Sequence, residues 1–318
     1  MTSIKFLLLG FDALDHELWH HYGHKHLDPD LIGSLSPTAV KITPEIYETG
    51  PSWTSIMTGQ KSSSHGMRDG WGRSVTQAGK PSRSFTHIPG PYLWERLNQA
   101  GLRCGVVNVP VTWPPKPIDG FMVSGFPCPL RNITYPKTLE AVLGPEYIPD
   151  IAMWKNNLWD HNVIGSWRDS VKAIGLQNIL EVVEQVDGSK IELLDKLIAD
   201  SAPIEALVCQ FAFVDRIGHV FGMNNEEASV VYPYVAGLIN RLLKKFAPAK
   251  WCVVSDHGMK GTEIPNKKSN HTYNALFMTN AEVTLREGAN FDILPTILEL
   301  LHIPADARID GQSLIIHA

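Results

Sequence analysis

Paired cysteines, long apolar runs and an excess of basic residues are all missing from this chain. Its 318 residues include four cysteines, Cys104, Cys128, Cys209 and Cys252, widely spaced and without a CxxC pair. Cys104, Cys209 and Cys252 lie in or beside apolar, strand-like runs, as small buried hydrophobes do in a reducing compartment. The net charge of −5 leaves no basic footprint for nucleic acid and no case for an anionic membrane surface. It does not exclude a phosphate ligand, because metal ions can supply positive charge locally. The N-terminal "MTSIKFLLLGFDALDHE" has an apolar run of only about five residues, too short for a signal peptide or a membrane span. A first β-strand explains that run better, and a cytoplasmic protein is expected. There is no internal repeat, no low-complexity linker, and no GxGxxG, Walker A or GxSxG motif.

What is present is ordinary globular material, 44% hydrophobic and 19% charged, enough for one large α/β domain. Short apolar runs, "IKFLLLGF" (4–11), "RCGVVNV" (103–109), "EALVCQFAFV" (205–214), "WCVVS" (251–255) and "NALFMT" (274–279), alternate with amphipathic segments. The helical segments include "PYLWERLNQAG" (91–101), "SKIELLDKLIADS" (189–201) and "YVAGLINRLLKKFA" (234–247), the last with a basic final turn. Strands buried on both faces that alternate with helices predict an α/β three-layer sandwich around a mostly parallel sheet. The interval 111–188, rich in Pro, Trp and polar turns, reads as a small cap inserted into this single domain. Its Trp113, Trp154, Trp159 and Trp167 either form the cap's own core or line a pocket.

Ligands of such sheets sit beyond the carboxyl ends of the strands. Three of the hydrophobic runs end in an acid: Asp12, Asp215 and Asp256. A lone acid there is ordinarily a helix N-cap, but two of these come with histidines at ligand spacing. "FVDRIGHVFG" puts His219 four residues after Asp215, on one face of a helix, and "VVSDHGM" puts His257 beside Asp256. "KKSNHTYNALF" adds His271 just before another strand. Carboxylates and imidazoles converging on one sheet edge suit Zn²⁺, with Mn²⁺ as second choice. The stretch "ETGPSWTSIMTGQKSSSHGM" (48–67) adds a crowd of hydroxyls, fit either for a polar turn or for presenting a nucleophile.

In this order the motifs resemble the alkaline phosphatase superfamily, nearest to its type I phosphodiesterase / nucleotide pyrophosphatase branch. The resemblance rests on the acid after the first strand, the turn "TxPxxTSxxTGxxxxxHG", then "DxxGH", "SDHGM" and a last His. It extends through "VVNVPVTWPPKPIDGFMVSGF" (106–126) and the tail "DILPTILELLHIPADARIDGQSL" (292–314). It implies a dinuclear-metal phosphoester hydrolase acting on a small phosphoester, possible nucleotides included. One ion would be held by Asp215, His219 and His271, the other by Asp12, Asp256, His257 and the nucleophile. In this branch the nucleophile stands two residues before the proline and nine before the threonine of "TG", which is Thr49 on both counts. Ser52 and Thr54 are the alternatives. The Gly50 amide, at the start of the following helix, would face a phosphoryl oxygen.

A threonine rather than a cysteine there argues against a sulfatase. The asparagine that holds a phosphate oxygen in nucleotide pyrophosphatases corresponds here to Gly70. Arg68, Trp71, Arg73 or a cap residue could replace that contact, and a phosphomonoesterase, a phosphomutase or an inactive binding protein remain alternatives. His65 reads as a brace for the turn.

Overall fold

A computed structural model describes residues 4–32, 37–67, 90–144, 147, 172–201, 203–261 and 270–317, and the backbone of two short strands at Ser74–Val75 and Pro81–Ser82. Its centre is a nine-stranded sheet. In chain order the strands are β1 (Phe6–Phe11), β2 (Thr38–Thr43), β3 (Cys104–Val107), β4 (Gly120–Val123) and β5 (Thr134–Tyr135). They continue with β6 (Ala206–Phe211), β7 (Lys250–Val254), β8 (Ala275–Thr279) and β9 (Gly288–Ala289). The spatial order is β9-β2-β8-β7-β1-β6-β3-β4-β5. Strands β7, β1, β6, β3 and β4 are mutually parallel, with Leu8 of β1 opposite Val208 on one side and Cys252 on the other. Strand β8 runs antiparallel to both of its neighbours, β7 and β2.

The alternation along β1 sorts its side chains between two cores. Leu7, Leu9 and Phe11 point to one face and pack with helices α3 (Leu176–Asp200), α4 (Phe213–Phe221) and α5 (Asn225–Phe246). Phe6 and Leu8 point to the other, among α1 (Thr49–Thr58), α2 (Leu93–Gln99) and α6 (Ile293–Leu300). A strand buried on both faces is apolar at nearly every position, which is why these runs read as continuous rather than alternating. The expected three-layer α/β sandwich with a mostly parallel sheet is what forms. No helix among the described residues is long and apolar enough to cross a membrane.

Part of the interval 111–188 is not a cap. Gly120–Val123 extends the parallel sheet beside β3, and Thr134–Tyr135 pairs antiparallel with it. Asp-Gly-Ser at 187–189 is a turn-forming sequence just where the helix expected over 189–201 begins, yet α3 runs straight through it. Ile179, Leu180, Val183 and Val186 are buried there, and the Lys190 ammonium meets the Asp187 carboxylate at 2.9 Å. Tertiary burial overrides the local turn signal. Trp154, Trp159 and Trp167 lie outside the described residues, while Trp113 packs half-buried against the α3–α5 core.

The seating of α1 depends on a missing side chain. Trp53, fully buried, points the outer edge of its ring at Gly10 of β1, where an added Cβ would stand 2.3 Å from Trp53 Cη2. Gly10→Ala should therefore push α1 off the sheet and destabilise the protein by about 2 kcal/mol, as overpacking does. A lower urea midpoint would show this, and an unchanged midpoint would mean that the helix seats without this contact.

Candidate metal centre

The carboxyl edge of the sheet gathers every residue singled out in the sequence as a ligand or nucleophile. Asp12 leaves the end of β1, and Asp256 and His257 leave the end of β7. Asp215 and His219 lie one turn apart on α4, which starts two residues after β6. Because β8 is antiparallel, its beginning rather than its end reaches this edge, so His271 arrives from the opposite chain direction. Thr49 opens α1 and is buried, with Gly50 next in the same first turn.

Two clusters result. In the first, Asp215 Oδ1 lies 3.2 Å from His219 Nε2 and 3.0 Å from His271 Nε2, and the two Nε2 atoms are 3.1 Å apart. In the second, His257 Nε2 lies 3.3 Å from both Asp12 Oδ1 and Asp256 Oδ2, and 3.5 Å from Thr49 Oγ1. The rings of His257 and His271 stack with centroids 3.7 Å apart, joining the clusters. Ligand atoms of Asp12, Asp215 and His257 also fall within 4.8 Å of one another.

Backbone carbonyls set the imidazole tautomers. His271 Nδ1–H donates to Tyr47 O at 2.8 Å, and His257 Nδ1–H donates to Gly258 O at 3.1 Å. With Nδ1 engaged this way, each ring turns its Nε2 into the cluster, the orientation a metal-binding histidine needs. Asp12 Oδ1 and Asp256 Oδ2, both buried, have no hydrogen-bond partner among the described residues. Two buried carboxylate oxygens thus converge on a single imidazole nitrogen.

The proton equilibria describe the same deficit. Burial, and then the neighbouring Asp12, push the Asp256 carboxyl well above its usual range. Burial alone would lower His257, but Asp256 and Asp12 outweigh it, so that its pKa is pushed up to about 10. A cation, whether a proton or a metal ion, is strongly favoured at this point. Burial would likewise raise Asp215, yet His219 and Arg216 hold its carboxyl well below the usual range. Burial and the charge of His257 lower His271. The donor set of oxygen and imidazole nitrogen, with buried orphan oxygens, fits divalent metal binding.

The sequence reading missed several supporting side chains. Arg216, buried beside Asp215, forms an ion pair with it. Gln210 Nε2 donates to Asp12 Oδ2 at 3.5 Å, and the Ala13 amide donates to Asp256 Oδ1 at 3.1 Å from a left-handed backbone (φ 67°). A polar residue inside an apolar strand, as Gln210 is in "ALVCQF", was the available signal. The glycine of "DRIGH" also has a reason: a Cβ on Gly218 would lie 1.7 Å from Met259 Sδ, so α4 abuts the short strand that follows "SDH". Gly70, Arg68, Trp71 and Arg73 lie outside the described residues.

The other hydroxyls of α1 are engaged. Thr54 Oγ1 donates to Gly50 O at 2.8 Å and Thr58 Oγ1 to Thr54 O at 2.7 Å. Ser52 Oγ donates to Asp256 O at 2.5 Å and accepts from Asn290 Nδ2 at 2.9 Å.

The sequence model described as type I phosphodiesterase / nucleotide pyrophosphatase matches residues 34–309. The chain belongs to that family. Human ectonucleotide pyrophosphatase / phosphodiesterase 5 has a similar fold, with a TM-score of 0.56 at 12% identity over 97% of both chains. Its murine counterpart, solved as an inactive threonine-to-alanine variant in complex with AMP, gives 0.51 at 12% identity over 96% of each chain. At that identity the likeness is one of fold. A 2,3-bisphosphoglycerate-independent phosphoglycerate mutase of Clostridium botulinum is 30% identical over 136 residues, which is 39% of this chain and 26% of that protein. The chain thus spans about a quarter of the length of the curated relatives it matches. The sequence match and the shared fold agree with the expected alkaline phosphatase-like architecture.

His65 is buried and tied to α1. Met67 N donates to its Nδ1 at 3.1 Å, so Nε2 carries the proton and donates to Ser55 Oγ at 3.0 Å. Burial lowers its pKa to about 4. The unfolded chain takes up this proton near pH 6.5. Between the two values the unfolded state therefore binds more protons, and stability falls as pH falls through that window. Urea midpoints measured from about pH 7 down to about pH 4.5 should decline less in His65→Gln, by roughly 1–2 kcal/mol of wild-type pH dependence. An equally steep decline in the variant would refute the assignment.

Proposed function

We propose that this protein hydrolyses phosphodiesters or nucleotide pyrophosphates through a phospho-threonine intermediate on Thr49. The reading is carried by one observation: imidazole Nε2 atoms and orphan carboxylate oxygens converge beside a buried threonine hydroxyl. Asp215, His219 and His271 would hold one divalent ion, and Asp12, Asp256, His257 and Thr49 a second, with Zn²⁺ favoured over Mn²⁺ by the imidazole share. Bound there, such ions supply the positive charge that lowers a hydroxyl pKa and neutralises phosphoryl oxygens.

The chain's own groups do the rest. Thr49 Oγ attacks phosphorus, the bond to the leaving oxygen breaks, and the alcohol or phosphate departs. Gly50 offers its amide to a phosphoryl oxygen at the positive end of α1. Water then attacks phosphorus and the Thr49 Oγ–P bond breaks, restoring the hydroxyl. Ser52 and Thr54 are poor rivals because each hydroxyl already donates within or beside α1. The threonine-to-alanine substitution in the inactive murine structure supports a threonine in this role, and its AMP supports a nucleotide as the substrate class. A cytoplasmic setting suits four cysteines that are all buried free thiols. A second reading, a phosphomonoesterase or phosphomutase on the same core, is favoured by the mutase relatives.

Thr49→Ala and Asp256→Asn should each lower hydrolysis at least about a thousandfold while circular dichroism stays unchanged. Full activity in Thr49→Ala would move the nucleophile elsewhere. A chelator should remove activity and Zn²⁺ restore it. Protein that holds no transition metal, and gains none when zinc is added, would be a binding protein instead. Rates on bis-p-nitrophenyl phosphate against p-nitrophenyl phosphate separate the two enzyme readings. A much faster monoester reaction would overturn the diesterase.

A further inference from the structure

Five of the thirteen histidines fall between residues 16 and 26, apart from the metal centre. Three of them, His16, His20 and His24, recur at every fourth position. The backbone that carries them is a helical turn at His16–Leu18, a wide π turn at Trp19–Gly23 and a tighter turn at His24–His26. Spacing of four places successive side chains above one another on such a ledge.

The ledge is rigid. At its start, Asp15 Oδ1 accepts from the amides of Glu17 and Leu18 at 3.0 and 3.3 Å. At its middle, the buried indole of Trp19 packs so closely under Gly23 that a Cβ there would lie 2.3 Å from Trp19 Cε3. At its end, Asn240 of α5 donates to His26 O and accepts from the Asp28 amide, both at 2.9 Å. On this fixed backbone the His20 and His24 rings are exposed and nearly parallel, with centroids 5.0 Å apart and planes 12° from each other. His16 is half-buried beside them.

Two imidazoles one turn apart on a helical backbone form a chelating pair for ions that prefer nitrogen. We propose that His20 and His24, with His16 adjoining, form a second, external site for a divalent transition cation such as Zn²⁺, Ni²⁺ or Cu²⁺. Exposure lets both rings turn their Nε2 atoms onto one ion without disturbing packed neighbours. Nitrogen donors select such ions over Mg²⁺ and Ca²⁺, which require oxygen. The site shares no ligand with the centre at the strand ends, so the two fill independently.

Equilibrium dialysis of the full chain against Ni²⁺, with bound metal counted by elemental analysis, tests this. His20→Gln combined with His24→Gln should bind one equivalent fewer than wild type. His21→Gln combined with His26→Gln removes as many histidines off the stripe and should bind as much as wild type. Asp215→Asn should keep the equivalent that the ledge holds. Equal uptake by wild type and the His20/His24 variant would overturn the site. So would equal losses in both double variants, which would show diffuse attraction to a histidine-rich surface.

Discussion

Three carboxylates, those of Asp12, Asp215 and Asp256, are buried together at the end of a hydrophobic sheet. Removing ionised acids from water is strongly unfavourable unless charge or hydrogen bonds replace the solvent. Asp215 has that compensation from Arg216 and His219. Asp12 and Asp256 have much less: a distant amide from Gln210, one backbone amide from Ala13, and one imidazole nitrogen of His257 shared between them. Much of the local architecture answers this imbalance. The imidazole tautomers, the strained backbone at Ala13 and the entry of a strand from the wrong direction all bring groups to the same few ångströms.

Packing holds these groups in register. Helix α1 can lie on β1 only because Gly10 leaves room for the Trp53 ring, and that seating sets where Thr49 begins. Helix α4 can abut the strand after His257 only because Gly218 leaves room for the Met259 sulfur. Within α1, hydroxyls that would otherwise compete are tied to backbone carbonyls, an arrangement open to Ser and Thr inside a helix. The helix is thus rich in hydroxyls and nearly all of them are structural.

The central strands were legible because burial on both faces forces an uninterrupted apolar run. The candidate cluster was legible because acids at successive strand ends, two of them with histidines at close spacing, are more than helix caps require. What stayed hidden obeyed weaker rules. "TAVKIT" lies mostly half-buried beside the short strand β9 and carries little hydrophobic signal. Gly120–Val123 sits within a proline-rich interval whose composition suggested a cap. The Asp187-Gly188-Ser189 turn signal lost to the buried face of α3. Arg216 and Gln210 act through spatial neighbours that no local spacing encodes.

The antiparallel strand β8 has one more implication. It lies between β7 and β2, and the histidine before it completes a set whose other members are spread from Asp12 onward. The centre therefore has no local precursor: among the described residues, no single helix or strand carries more than two of these donors. During synthesis the early acids emerge long before their last imidazole. An ion bound there would need the assembled sheet, so it would stabilise the finished fold and could not template it.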